Sequence, residues 1–226
     1  MPSQLTIFDL DGTLIDSLGD LADAMNAVLE RRGYPVHPQD SYRHFVGDGI
    51  EMLVRRALPP EIVTEPNVAE YVALLREDYS TRWLATTRPF THIPELLAAL
   101  RSQRIHTAVL SNKPDSPTRT LVGQLFADHP FVAVRGECIG VPRKPDPTST
   151  LEIISELGVS PQQTVFVGDT PIDMTTGVNA GTLTVGVTWG FREAHELSSA
   201  GADHIIQRPL ELLRFLDGMA RGGRRS

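Results

Sequence analysis

Leu5-Thr6-Ile7-Phe8-Asp9-Leu10-Asp11-Gly12 is the stretch on which the fold turns. Its first four residues form a short β-prone run that stops at two acids, the pattern of a buried strand. Residues 105–110, 164–167 and 183–187 read the same way. Between these runs, residues 93–101, 117–126, 148–157 and 171–180 carry helical spacing, several with Pro near the start. Strands and helices alternating at these lengths imply βαβ units, hence an α/β class with a doubly wound, Rossmann-like parallel sheet. Residues 131–134 and 204–206 add candidate strands, and residues 210–219 a closing helix.

Residues 17–88 break the alternation. Leu18, Leu21, Met25 and Leu29, then Met52, Leu53 and Leu58, then Val68, Val72, Leu75 and Tyr79 recur three and four residues apart without a buried strand. The expectation is an α-helical insert, or cap, over 17–88, with residues 1–16 and 89–226 forming the α/β core. Leaving after the first strand, it would lie over that strand's C-terminal end, where open α/β sheets bind ligands and a lid excludes water.

The chain has 226 residues, 41% hydrophobic and 22% charged, the composition of an ordinary water-soluble globular protein. A formal charge of -7 disfavours nucleic acid, which is held through clustered Lys and Arg. Cys138 is the only cysteine, so an internal disulfide is impossible and a reducing cytoplasm fits. Cys138 itself is expected to be a small packing residue. No stretch reaches the roughly 18 apolar residues of a membrane span. The N-terminus lacks the pattern of a targeting leader. Residues 221–226 read as a frayed basic tail. Oligomeric state is left open.

Asp9 and Asp11 lie two apart at a strand end, so both carboxyls face one side. Close carboxylates repel unless a cation or a shared proton intervenes; alternatively, one of them caps the turn before Gly12 and Thr13. Ser111-Asn112-Lys113, Lys144-Pro145 and Gly168-Asp169-Thr170-Pro171-Ile172-Asp173 would reach the same edge of a parallel sheet. Together they offer a hydroxyl, an amide, ammonium groups and further carboxylates, a set suited to phosphate with Mg²⁺. Lys113 and Lys144 are the only lysines among 21 basic residues, and both fall in these segments. Gly12 provides either room for a phosphate or a tight turn. The seven His show no ligand spacing and read as surface or packing residues.

Taken in order, Phe8-Asp9-Leu10-Asp11-Gly12-Thr13-Leu14, Leu110-Ser111-Asn112-Lys113, Lys144-Pro145-Asp146-Pro147 and Gly168-Asp169-Thr170-Pro171-Ile172-Asp173 resemble the haloacid dehalogenase superfamily. Within it the chain looks most like the phosphoglycolate phosphatase branch, and the helical insert lies where that branch carries its cap. The resemblance implies a Mg²⁺-dependent phosphatase acting on a small phosphorylated metabolite, 2-phosphoglycolate foremost. It implies that Asp9 attacks phosphorus while Asp11 protonates the leaving oxygen and then activates water. Mg²⁺ would be held by Asp9, the Asp11 carbonyl and Asp169, with Asp173 near or behind them. Ser111, Asn112 and Gly12 would contact the phosphate and Lys144 would neutralise charge. Gly47, Asp48 and Gly49 in the cap would select the leaving group, or form a plain interhelical turn.

Asp11 argues against a dehalogenase, and an insert without Lys argues against a Schiff-base phosphonate hydrolase. A sugar phosphomutase, a pyrophosphatase or a nucleotidase of the same superfamily are the enzyme alternatives. A catalytically silent phosphate-sensing or partner-binding protein is the alternative from another class, disfavoured by the presence of Asp9, Asp11, Lys144 and Asp169.

Overall fold

The structure is a computed structural model that describes residues 3–222. Residues 223–226 of the expected frayed tail lie outside the described residues, as do residues 1–2 of the segment read for a leader. The strands are β1 (Leu5–Phe8), β2 (Ile15–Asp16), β3 (Arg88–Pro89), β4 (His106–Pro114), β5 (Ala133–Glu137), β6 (Thr164–Gly168), β7 (Leu183–Val187) and β8 (His204–Ile206). The α-helices are α1 (Leu18–Arg31), α2 (Tyr42–Phe45), α3 (Ile50–Ala57), α4 (Glu65–Arg82), α5 (Ile93–Ser102), α6 (Asp115–Leu125), α7 (Thr148–Leu157), α8 (Pro171–Ala180), α9 (Ala194–Ser199) and α10 (Glu211–Gly222). The chain divides into two compact units, Met1–Leu14 with Pro89–Ser226, and Ile15–Arg88.

The first unit is built on a six-stranded sheet in the order β5-β4-β1-β6-β7-β8, parallel at every pairing. It is the doubly wound α/β arrangement that the alternating pattern implies. All four residues of β1 are buried, which is why it reads as a continuous run instead of an alternating one. Leu5, Ile7, Ala108, Leu110, Ile153, Ile154 and Phe166 pack into one cluster. Fully burying one such large apolar side chain stabilises the fold by about 1.5–3 kcal/mol. Phe8 pairs with Val109 on one side and Val167 on the other. The residues that follow Phe8, Val109 and Val167 in the three strands therefore emerge level with one another.

The structure differs from the expected elements in a few places. The strand expected at 105–110 begins at His106 and runs on to Pro114, with a register irregularity against β5 between Leu110 and Pro114. The strand expected at 131–134 is shifted to Ala133–Glu137, and α9 was not foreshadowed. Cys138 is exposed, a correction to its expected packing role: it follows edge strand β5, where half-buried backbone leaves no core to enter.

The second unit is helical. Leu21, Met25 and Leu29 of α1 and Val68, Leu75 and Tyr79 of α4 are buried, and the two helices pack together. These are residues whose spacing implied amphipathic helices. Thr64 caps α4, its Oγ1 accepting from Asn67 N, and Pro66 sits in the first turn, where its missing N–H costs nothing. Asp20 of α1 is fully buried and accepts hydrogen bonds from the backbone and hydroxyl groups of both Thr86 and Thr87. It ties the unit's first helix to its exit segment.

Candidate active site

The candidate chemistry gathers at the C-terminal ends of β1, β4 and β6. Asp9 continues the ladder one residue past β1, its N–H donating to Val167 O at 2.9 Å. The chain then turns, with Thr13 N and Leu14 N both donating to Leu10 O. Leu10 is buried in the core, so the alternation leaves Asp9 and Asp11 on the other side. Gly12 has φ +88°, and a Cβ there would lie 2.3 Å from Asp169 Oδ2. The room a glycine makes at this position is thus occupied by the Asp169 carboxylate.

Ser111, Asn112 and Lys113 are buried near the end of β4. Ser111 Oγ accepts from Lys113 N at 3.2 Å, and Asn112 Nδ2 donates to Lys144 O at 3.1 Å. Among the described residues Asn112 Oδ1 is buried and meets no hydrogen-bond partner, a polar atom suited to a ligand or water. Lys113 Nζ spans both oxygens of Asp11 at 3.1 and 3.2 Å. Lys113 therefore belongs with the first motif's second acid.

Lys144 Nζ is buried and lies 2.7 Å from both Asp9 Oδ1 and Asp173 Oδ1. Asp173 opens α8 in a capping box: its Oδ2 accepts from Thr170 N at 3.0 Å and Thr170 Oγ1 at 2.7 Å. One carboxylate therefore caps a helix and faces the ammonium at once. Asp169 is held by Thr13 Oγ1, which donates to Oδ1 at 3.1 Å, and by Phe191 N, which donates to Oδ2 at 2.8 Å.

Asp9, Asp169 and Asp173 are all buried, and one oxygen of each lies within 4.8 Å of the others. Burial first, then the Asp173 charge, push the Asp9 carboxyl up to about 7 against the opposing pull of Lys144. Burial and the Asp173 charge likewise raise Asp169 well above its ordinary value. Burial works against the Lys144 charge, but the Asp173 and Asp9 carboxylates outweigh it and keep the ammonium above its usual range. The three buried carboxylates lie together, and the Lys144 ammonium, bonded to Asp9 and Asp173, offsets only part of their charge. The donors are hard oxygens, the set that Mg²⁺ takes, and a dication there would favour the ionised carboxylates. The residues present fit that ion.

The second unit contains Gly47, Asp48 and Gly49, between α2 and α3. Both glycines have positive φ, +119° and +90°. Arg56 Nη1 donates to His44 O and Phe45 O at 3.2 Å each, and Arg56 also forms an ion pair with Asp48. The segment is thus tied down from α3. Sequence reasoning missed Trp189, Gly190 and Phe191. They follow β7 at the same sheet edge as the other motifs, and that position was the available signal.

The profile of the haloacid dehalogenase-like hydrolase family matches residues 6–187. The chain belongs to that family, and it is an enzyme of the phosphatase class, a hydrolase of phosphoric monoesters. It is 33% identical over 215 residues to a phosphoglycolate phosphatase of Aquifex aeolicus, covering 95% of this chain and 97% of that protein. A phosphoglycolate phosphatase of Pseudomonas putida is 33% identical over 221 residues, covering 96% and 80%. Among solved structures, a candidate phosphoglycolate phosphatase from Lactobacillus delbrueckii subsp. bulgaricus superposes with a TM-score of 0.89 at 30% identity, covering 96% and 99%. The similarity lies with the phosphoglycolate phosphatase branch. Among the described residues, no helix is long and apolar enough to cross a membrane.

Proposed function

We propose that the chain hydrolyses a small phosphorylated metabolite, 2-phosphoglycolate foremost, in the cytoplasm, through a phosphorylated Asp9. The observation that carries this reading is the placement of Asp9. It is a buried carboxylate at the end of the central strand, 2.7 Å from the Lys144 ammonium and grouped with Asp169 and Asp173. The names of the relatives support the substrate.

In this reading Asp9, Asp169 and Asp173, with the Asp11 carbonyl, would hold Mg²⁺. When bound, the ion would supply positive charge toward the phosphoryl oxygens and favour the ionised carboxylates. An Asp9 oxygen attacks phosphorus as the P–O ester bond breaks, and Asp11 passes its proton to the leaving oxygen. Asp11, now ionised, takes a proton from water as that water attacks the aspartyl phosphate. Inorganic phosphate departs and the Asp9 carboxylate is restored. Lys144 stabilises the charge on Asp9 and on the reacting oxygens where water is excluded. Ser111 and Asn112, with the backbone at Gly12, orient the phosphate. Choice of leaving group is assigned to Gly47, Asp48 and Gly49.

The test is a rapid-quench incubation with 2-phosphoglycolate, followed by mass spectrometry of the peptide containing Asp9. The wild type should carry one phosphate on that peptide, and Asp9→Asn should carry none and release no phosphate. Substantial turnover by Asp9→Asn free of deamidated material would refute the covalent route. A panel of phosphorylated metabolites ranked by kcat/KM tests the substrate, and a preference for a sugar phosphate or a nucleotide would displace 2-phosphoglycolate.

A further inference from the structure

Trp189, Gly190 and Phe191 have no part in the reading above, yet they close a circuit around Asp169. The Trp189 indole Nε1 donates to Thr13 O at 3.0 Å. Thr13 Oγ1 donates to Asp169 Oδ1 at 3.1 Å, and Phe191 N donates to Asp169 Oδ2 at 2.8 Å. Trp189 and Phe191 are joined through Gly190, so the loop after β7, the turn after β1 and the end of β6 form one closed ring of bonds. Gly190 is pressed against the site: a Cβ there would lie 2.4 Å from both Asp169 Cβ and Gly12 O. Neither contact could yield without moving the carboxylate or the turn.

An indole has one N–H and no acceptor, so Trp189 contributes a single directed bond. That bond fixes the Thr13 peptide, and the Thr13 hydroxyl fixes one oxygen of Asp169. Carboxylates that ligate metals depend on such outer partners for their orientation, and losing one typically costs about 10–100-fold in metal affinity or activity. The geometry points to Trp189 as a positioning residue that acts through Thr13 to hold Asp169 in its metal-binding orientation. This inference rests on the proposed role of Asp169 as a Mg²⁺ ligand. Trp189 touches no reacting atom in it.

The test is direct titration of the full chain with Mg²⁺ alone by calorimetry, with Mn²⁺ binding followed by electron paramagnetic resonance as a second readout. Trp189→Phe keeps an aromatic ring and removes the N–H. It should weaken Mg²⁺ binding about tenfold, a loss that rising Mg²⁺ recovers, while the unfolding midpoint in EDTA falls by only about 1–6 °C for the one bond removed. Thr13→Val should weaken binding similarly, and the double variant should be no weaker than the worse single variant, because both cut one chain of contacts. Unchanged Mg²⁺ affinity in Trp189→Phe, or additive losses in the double variant, would overturn the inference while leaving the metal site standing. A wild type that binds neither ion would overturn the metal reading and this inference with it. The chain has two Trp, so Trp83→Phe leaves Trp189 as the sole tryptophan, which red-edge excitation selects over the tyrosines, and needs no change at the site. Its emission should shift with Mg²⁺ at the calorimetric midpoint, and a flat signal would count against the coupling even if Trp189→Phe failed to fold.

Discussion

Replacing Asp20 by Asn tests the account of the helical unit. Asp20 Oδ1 accepts from Thr86 N at 2.8 Å and Thr86 Oγ1 at 2.6 Å, and Oδ2 accepts from Thr87 N at 3.0 Å and Thr87 Oγ1 at 2.7 Å. Asn keeps one acceptor oxygen and turns an NH₂ group toward the other pair. Two charge-assisted bonds are lost at about 1.5–3 kcal/mol each, so the total is roughly 3–5 kcal/mol once relaxation is allowed. For a chain of this length each kcal/mol moves the thermal midpoint by about 2–4 °C, so the midpoint should fall by roughly 6–20 °C. The pH dependence has a definite sign. Burial alone would raise the Asp20 pKa, but the bonds from Thr86 and Thr87 outweigh it and hold the carboxyl below its ordinary value. A depressed carboxyl contributes its full stability above the unfolded value of about 3.9 and loses it as pH falls through the folded value. Denaturant unfolding followed by circular dichroism should therefore show a wide gap between wild type and Asp20→Asn near neutrality that narrows below about pH 4. A gap under about 1 kcal/mol near neutrality, or one that stays constant into acid, would refute the reasoning.

Lys144→Arg should lower kcat by roughly 10²-fold or more, because a planar guanidinium cannot replace an ammonium that sits 2.7 Å from two carboxylates in a buried site; steady-state kinetics giving a near-normal kcat would contradict that role. Activity should vanish in EDTA, return with Mg²⁺ and be inhibited by Ca²⁺, whose larger and looser coordination misplaces the attacking oxygen; full turnover after exhaustive chelation would remove the metal from the mechanism. Gly47→Val places a β-branched residue at φ +119° and should reduce kcat/KM for the preferred substrate far more than for an aryl phosphate. Equal losses on both would make the segment a connector.

Much of the fold was legible because parallel strands buried on both faces and helices opened by Pro leave strong local marks. Residues 148–157, 171–180, 183–187 and 204–206 fall where those marks placed them. The extension of β4 through Ser111, Asn112, Lys113 and Pro114 was hidden, since a strand end that is buried by a site is polar in sequence. Edge strand β5 was misplaced because Arg135, Gly136 and Glu137 carry no apolar pattern. For the candidate site, charge made Asp9, Asp11, Lys144, Asp169 and Asp173 visible. The Lys113 pairing with Asp11 and the closeness of Gly12 to Asp169 depend on packing between segments over 100 residues apart, which spacing along a chain does not encode. Trp189 escaped notice because an indole reads as core material until its N–H is seen to meet a carbonyl.

The position of β1 in the sheet has a consequence for biosynthesis. It is made before either of its neighbours, yet it lies between β4 and β6, which begin at His106 and Thr164. Both of its hydrogen-bonding edges stay open until those strands have left the ribosome. At about 5–20 residues per second, the second edge waits roughly 8–30 s. Such long-range parallel pairing is slow to form and exposes apolar strand in the meantime. The nascent chain therefore passes through an interval in which Leu5, Ile7 and Phe8 lack native strand partners, and chaperones have their opportunity there. The cluster of Asp9, Asp169 and Asp173 can assemble only at the end of that interval, so an incomplete chain released early carries the first acid of the site without its partners.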